Sequence, residues 1–297
     1  MTPGDLATLW RLFPEALTAG LVISAVCAVL GVFVVLKRVV FIGITLSEVA
    51  ACGIAGAMVC GVHPFLGASA LTLATVAILA YPFEMRRIPR DAVLGIIFVL
   101  ACGLSILLVA GSGFGLRDVK ALLYGDLILT SRRDLAIILA VLVPVGACVL
   151  AFLRPMLYTF LDRDAARAMR MRVMVWELAF FSALGLAVAA ASKVAGALLV
   201  FCCLVVPPSA ALLLSRRLGR VMAIAVALAL VSTAGGLGVS LRHDLPANQT
   251  IAVVTCGLFG LALVWNGVRR LRGRSNRLPP STGAGREIAT GAEPGDT

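Results

Sequence analysis

LDRDAARAMRMR, Leu161 to Arg172, is the most polar interruption in the middle of a chain that is otherwise apolar almost throughout. Asp162 is an N-capping residue type. Asp162 and Asp164 open the stretch and Arg170 and Arg172 close it, so the charges suit a short helix and its dipole. Ala165, Ala168 and Met169 fall on one face at i, i+3 and i+4 spacing. Two readings follow: a helix that docks against another protein at the membrane surface, or a solvated helix that only joins two spans.

On either side the chain is built for lipid. Apolar residues make up 61% of it and the mean hydropathy is +1.03, whereas soluble proteins run at about 45–50% apolar. Crossing the hydrocarbon core takes about 20 apolar residues in a helix. On that criterion spans fall at Ala16–Leu36, Ile44–Val62, Phe65–Phe83, Ala92–Val109, Asp134–Leu153, Met174–Ser192, Val194–Leu214, Val221–Leu241 and Thr250–Val268. Between Gly111 and Arg133, Leu122 to Leu129 is too short to cross and reads as an interfacial or re-entrant piece against the bundle. The expected fold is an all-α polytopic transmembrane bundle of about eight to nine spans.

Alternating these spans sorts the 26 Lys and Arg residues into two sets of connections, 19 on one side and 7 on the other. The positive-inside rule places the richer set, which includes Leu161–Arg172 and the C-terminus, in the cytoplasm and the N-terminus outside. The net charge of +11 is dispersed between apolar runs with few aromatics beside it, so it reads as an orientation signal and not as a nucleic-acid face. The transmembrane domain is expected over 1–268. The remainder, 269–297, has no apolar face, is rich in Gly, Pro and Ser, and is expected to be a disordered cytoplasmic tail.

Three stretches are dense in small residues and suit close helix packing: Ala50–Gly61, Ala183–Ala191 and Ser232–Gly238. The pair Pro207–Pro208 removes two backbone donors and predicts a kink or helix end where other helices cover the freed carbonyls. The eight cysteines lie in apolar runs without CxxC spacing and read as small packing residues. The first apolar run lacks a cleavage signature and reads as a retained span. No GxxxxGK[ST], HExxH or GxSxG motif is present, so any ATP that drives this chain is held by another.

Glu48, in ITLSEVAACGIAG, is an ionisable group inside the second apolar run. An acid there costs about 2.5–3.5 kcal/mol on insertion scales unless it meets a wet cavity or a partner. Thr45 at i−3 and Cys52 at i+4 complete a face that offers oxygen and sulfur to a passing cation. The alternative is a structural ion pair between Glu48 and Lys37 or Arg38, and both stand at this point. His243 and Asp244 read either as a capping cluster or as part of an outer mouth, His63 as a surface turn residue, Asp126 as a cap, and Glu177 and Lys193 as snorkelling or paired groups.

Six stretches, in order, resemble the permease subunit of the zinc, manganese and iron class of ATP-binding-cassette importers. They are VLKRVVFIGITLSEVAACGIA (Val35–Ala55), DAVLGIIF (Asp91–Phe98), LLYGDLILTSRRDL (Leu122–Leu135), FLDRDAARAMRM (Phe160–Met171), VAGALLVFCCLVVPPSAALLL (Val194–Leu214) and DLPANQTIAVV (Asp244–Val254). The resemblance implies a homodimeric permease in the bacterial inner membrane, a separate ATPase subunit and an extracytoplasmic metal-binding protein. It implies no permanent cofactor, the cargo being a divalent metal ion, with zinc placed ahead of manganese. Asp162, Asp164, Ala165, Ala168, Met169 and Arg170 then belong to a cytoplasmic coupling helix that fits a cleft in the ATPase, although Arg170 stands where the family commonly has glycine. Many members carry an aspartate and, four residues later, a histidine along the ion path. The matching positions here are Ile44 and Glu48, so one ligand is absent and the other is a carboxylate. The rival expectations are a permease for chelated metal or cobalamin and an ATP-independent secondary transporter.

Overall fold

The structure, a computed structural model, describes residues 13–80, 90–111, 125, 127–161 and 172–275. Among them the regular elements are helices: α1 (Pro14–Leu36), α2 (Val40–Val59), α3 (Pro64–Ala80), α4 (Arg90–Gly111), α5 (Arg132–Ala151), α6 (Leu153–Leu161), α7 (Val173–Leu214), α8 (Leu218–Arg242) and α9 (Ala247–Ser275). Six of these are long and apolar enough to cross a membrane: α1, α2, α5, α7, α8 and α9. The described parts of α3 and α4 are shorter apolar helices. Residues 162–171, which hold the charged stretch quoted first, and Asp126 lie outside the described residues, as does 276–297. The last helix reaches Ser275, past the point where the sequence pattern loses its apolar face.

α1 is the axis of the bundle. Its apolar window is 72% buried within this one chain, against 17% for α9, whose outward residues Val253, Leu261, Val264 and Trp265 are exposed. Side chains of α1 pack on α2, α5, α7 and α8 in a single continuous core that includes Ile23, Leu30, Phe33, Leu142, Phe180 and Leu204.

The 42-residue helix α7 would be about 63 Å long if straight, twice the roughly 30 Å of a hydrocarbon core. It is not straight. Gly196 breaks it with φ 69° and ψ 163°, outside the helical region. Contacts along α1 show that the chain turns back there. Glu177, near the start of α7, bonds Lys37 just past the C-terminal end of α1. At the break, Lys193 pairs with Asp134 in the first turn of α5, where Arg132 in turn meets Glu15 at the start of α1. Beyond the break, Leu204 and Pro208 lie against Gly31, back towards the C-terminal end of α1. The single element is therefore two antiparallel arms, 173–195 and 197–214, in agreement with the division at Lys193 expected from hydropathy.

The prolines do not make this turn. Pro207 and Pro208 sit buried inside the second arm, and the helix continues to Leu214. A proline at 208 withdraws the donor for the Leu204 carbonyl, and that oxygen is seated against Gly31 so closely that a Cβ at Gly31 would collide with it. The neighbouring backbone covers the freed carbonyl, so the helix continues past the prolines.

The small-residue stretches mark crossings. Gly53 of α2 meets Gly67 of α3 backbone to backbone, Gly185 of α7 faces Thr72 and Val76, and Gly236 of α8 faces Ile251 of α9. Leu127, from the short piece before α5, is fully buried against Gly20, while Leu129 is exposed. Gly125, with φ 61°, packs on residues 194–196 at the break in α7. This part of the short piece is thus a plug that fills the end of the bundle where the arms of α7 meet.

Candidate functional site

The site is built on α2, so its start matters. α1 ends in a Schellman turn: the Val39 N–H donates to the Val34 carbonyl and the Arg38 N–H to the Val35 carbonyl, both at 3.1 Å. Arg38 supplies the left-handed residue, φ 57°, at a cost of roughly 1–2 kcal/mol for a side chain with a Cβ. The tight turn lets α2 begin at Val40, a full turn earlier than hydropathy suggests, because Val40, Phe41 and Ile42 are half-buried or exposed apolar residues that fit a helix entry. Glu48 therefore lies about 12 Å along the helix, near its middle.

At that depth one carboxylate oxygen has no partner among the described residues. Glu48 Oε2 is shielded from solvent and has no hydrogen-bond donor, and no described residue forms an ion pair with Glu48. The structural-pair reading assigned it to Lys37 or Arg38. Lys37 instead holds Glu177, with Nζ 2.7 Å from Oε1.

The side chains flanking Glu48 are placed as the spacing predicts. Thr45 is fully buried, and its hydroxyl donates to the Phe41 carbonyl at 2.9 Å and, more weakly, to the Leu94 carbonyl of α4 at 3.4 Å. The proton is thus committed and the oxygen lone pairs remain as an acceptor face. Cys52 is buried in a small apolar cluster with Val49 and Ala101, edged by Ile97 and Leu108. Across the α2–α4 seam lie contacts that sequence reasoning missed: the Leu94 carbonyl accepts from Thr45, and Ala101 packs on Cys52. Nothing in the local pattern of α4 signals this, since the approach depends on how α4 docks.

Among the described residues no three His, Cys, Asp or Glu side chains converge as a metal-holding group. The arrangement can offer one carboxylate, with the Thr45 hydroxyl and the Cys52 thiol one turn to either side on α2, to an ion in passage. An ion held by few ligands is easily released, which suits conduction better than storage.

The other polar candidates are structural in their contacts. His243 caps α8, Asp244 takes φ 50° in the turn that follows, and both are exposed. The Ser240 hydroxyl donates to the Leu245 carbonyl across that turn at 2.5 Å. His63 Nδ1 accepts the Phe65 N–H at 3.3 Å in the α2–α3 turn. Lys193 and Asp134 form the 2.5 Å pair at the break in α7, with Ser131 capping α5. The coupling positions Asp162, Asp164, Ala165, Ala168, Met169 and Arg170 lie outside the described residues.

The all-helical bundle with its long apolar helices agrees with the comparison by sequence, in which the model of the ABC 3 transport family matches residues 10–266. The chain belongs to the ABC 3 transport family. Among family relatives, it is 29% identical over 253 residues to the manganese transport system membrane protein MntC of Halalkalibacterium halodurans, covering 85% of this chain and 86% of that one. It is 27% identical over 252 residues to the high-affinity zinc uptake system membrane protein ZnuB of Haemophilus influenzae, covering 85% and 96%. A solved structure of PsaBC from Streptococcus pneumoniae in complex with Fab shares the fold, with a TM-score of 0.77 at 22% identity over 88% of this chain and 95% of that one. This ABC 3 member is thus a multi-pass membrane permease of the metal-importer class. Manganese and zinc both figure in the names of its relatives.

Proposed function

We propose that this chain is the permease subunit of an ATP-driven importer for divalent transition-metal ions, with zinc ahead of manganese. It works as a homodimer in the bacterial inner membrane, with a separate ATPase subunit and an extracytoplasmic protein that delivers the ion. The Lys37 end of the bundle and the C-terminus face the cytoplasm, the N-terminus and the His243–Asp244 turn face outward, and the bundle has eight to nine spans once the arms of α7 are taken separately.

The observation that carries this reading is the shielded, unpartnered oxygen of Glu48 in mid-span. An acid kept from water without a donor is a standing cost, and a cation passing along α2 offsets it. Carboxylate oxygen serves manganese and zinc alike. Cys52, one turn further along α2, carries a softer donor, which zinc accepts more readily and which supports its place ahead of manganese.

The energy arrives through the stretch 162–171. ATP-driven closure of the partner subunits pushes on the Asp162–Arg170 segment, moves the helices that flank it and changes which side of the membrane Glu48 can reach. In vesicles holding the permease, its ATPase and the delivery protein, zinc uptake is expected to require ATP and to ignore proton and sodium gradients. Gradient-driven uptake without ATP would overturn the proposal, and uptake of a chelate in preference to the free ion would redirect it to the chelate class. Aspartates at Ala165 and Ala168 are expected to abolish co-purification of the ATPase, and a full complex after that change would remove the coupling role.

A further inference from the structure

We infer that Lys37 is a positioning residue that ties α6 and α7 to the corner between α1 and α2, and so links the movement of the former to Glu48. The inference rests on the importer reading above and adds to it a residue that reading does not use.

The geometry is specific. Lys37 follows the last residue of α1, yet its side chain is only 12% exposed. Its ammonium is 2.7 Å from Glu177 Oε1 on α7, 4.4 Å from the centroid of the Phe160 ring on α6, and 4.8 Å from that of Phe181 on α7. The rings beneath close a second layer. Phe160 packs on Phe180 at 4.9 Å, Phe180 on Phe33 of α1 at 5.7 Å, and Phe33 on Phe160 at 6.1 Å. One cation therefore gathers the last turn of α6 and the first turns of α7, the two elements on either side of 162–171 in the chain, onto the end of α1.

On its other side the same cation adjoins a stiff connection. Arg38 holds the left-handed turn, and the two bonds of the Schellman motif fix α2 to α1 within a few residues. A displacement of α6 or the first arm of α7 that keeps the Lys37 contacts must carry the α1–α2 corner with it, and α2 carries Glu48. At the opposite end, the ion pair that α1 makes among the described residues is Glu15 with Arg132, whose side chain is 92% exposed. Cation–π attraction and a charge-assisted hydrogen bond both strengthen when shielded from water, so of these two holds on α1 the one at Lys37 is the firmer.

The test uses the complete complex in proteoliposomes, with zinc uptake and ATP hydrolysis measured on the same vesicles. Lys37→Met keeps the length and apolar stem of the side chain. It is expected to retain the ATPase subunit and hydrolysis within about twofold of the unaltered complex, while zinc moved per ATP falls about tenfold. Phe160→Leu leaves the ion pair in place and is expected to lower the same ratio about threefold. A purely structural role would reduce uptake and hydrolysis together, in proportion to the complex recovered. That result, or an unchanged ratio in both variants, would overturn the inference. If Lys37→Met does not assemble, Phe160→Leu decides by the same ratio. Absence of ATP-dependent uptake by the unaltered complex would instead overturn the importer reading, and the link with it.

Discussion

Glu48 and Glu177 are both acids in apolar helices, and the chain treats them in opposite ways. Glu177 lies in the second turn of α7 and is closed upon by Lys37 at 2.7 Å under two aromatic rings. Glu48 lies in mid-helix with an oxygen shielded from water and no donor to it. The first arrangement holds the fold together. The second is a cost that folding alone has no reason to keep, since a neutral side chain of similar volume would remove it. The difference separates an acid whose charge is matched within the fold from one whose charge the described residues leave unmatched.

The largest expected effect comes from neither acid but from the seam that holds the arms of α7 against α1. Gly31→Leu would drive a side chain into the Leu204 carbonyl. Because a backbone oxygen cannot step aside as a side chain can, the cost should exceed the about 1–3 kcal/mol usual for overpacking. The expected outcome is loss of folded protein in a fluorescence-detected gel filtration assay. Normal recovery would mean that α7 does not double back along α1 as described.

The two acids come next, with opposite signs. Glu177→Gln removes the charge that faces Lys37 at 2.7 Å in a mostly buried place. Discounted for its partial exposure, the loss should be about 2 kcal/mol, read as a lower midpoint of thermal unfolding in detergent. Glu48→Leu should raise that midpoint, by an amount equivalent to about 1–3 kcal/mol, because it removes an acid from mid-span. Equal destabilisation by both changes would erase the distinction between them. The smallest effect is expected at the other end of α1, where Arg132→Ala removes the exposed partner of Glu15. Such pairs contribute about 0–1 kcal/mol and are screened by salt, so the midpoint should not move measurably.

Much of the architecture could be read from the pattern of apolar runs. The division of α7 into two arms at Lys193 follows from hydropathy, and the glycine-rich stretches around Gly53, Gly185 and Gly236 do fall at helix crossings. The position of the break is legible only in part. Pro207 and Pro208 are the conspicuous helix breakers, yet the chain turns at Gly196, because a carbonyl freed by proline can be covered by a neighbouring helix while the turn itself needs a residue tolerant of φ 69°. The depth of Glu48 was also misjudged, since the helix entry at Val40 depends on the Schellman turn at Arg38, a residue type that gives no local hint of a left-handed conformation.

Pairing was the least legible feature. Lys37 and Glu177 are 140 residues apart, and the Leu94 carbonyl reaches Thr45 only through the packing of α4 on α2. One-dimensional periodicity shows which face of a helix is apolar, but in a bundle apolar all round it does not say which neighbour that face meets. Resemblance to a known family points to Glu48 through the family position that it matches. The physical reason to care about it, an acid without a donor, appears only once the fold is assembled.

The most direct measurement is zinc uptake by the complete complex carrying Glu48→Gln, taken with its thermal unfolding midpoint. Glutamine keeps the shape and removes the charge. Transport is expected to fall about tenfold or more, with a midpoint equal to or above that of the unaltered complex. Uptake at the unaltered rate, or a loss of transport that only follows a loss of folded protein, would contradict the role given to Glu48.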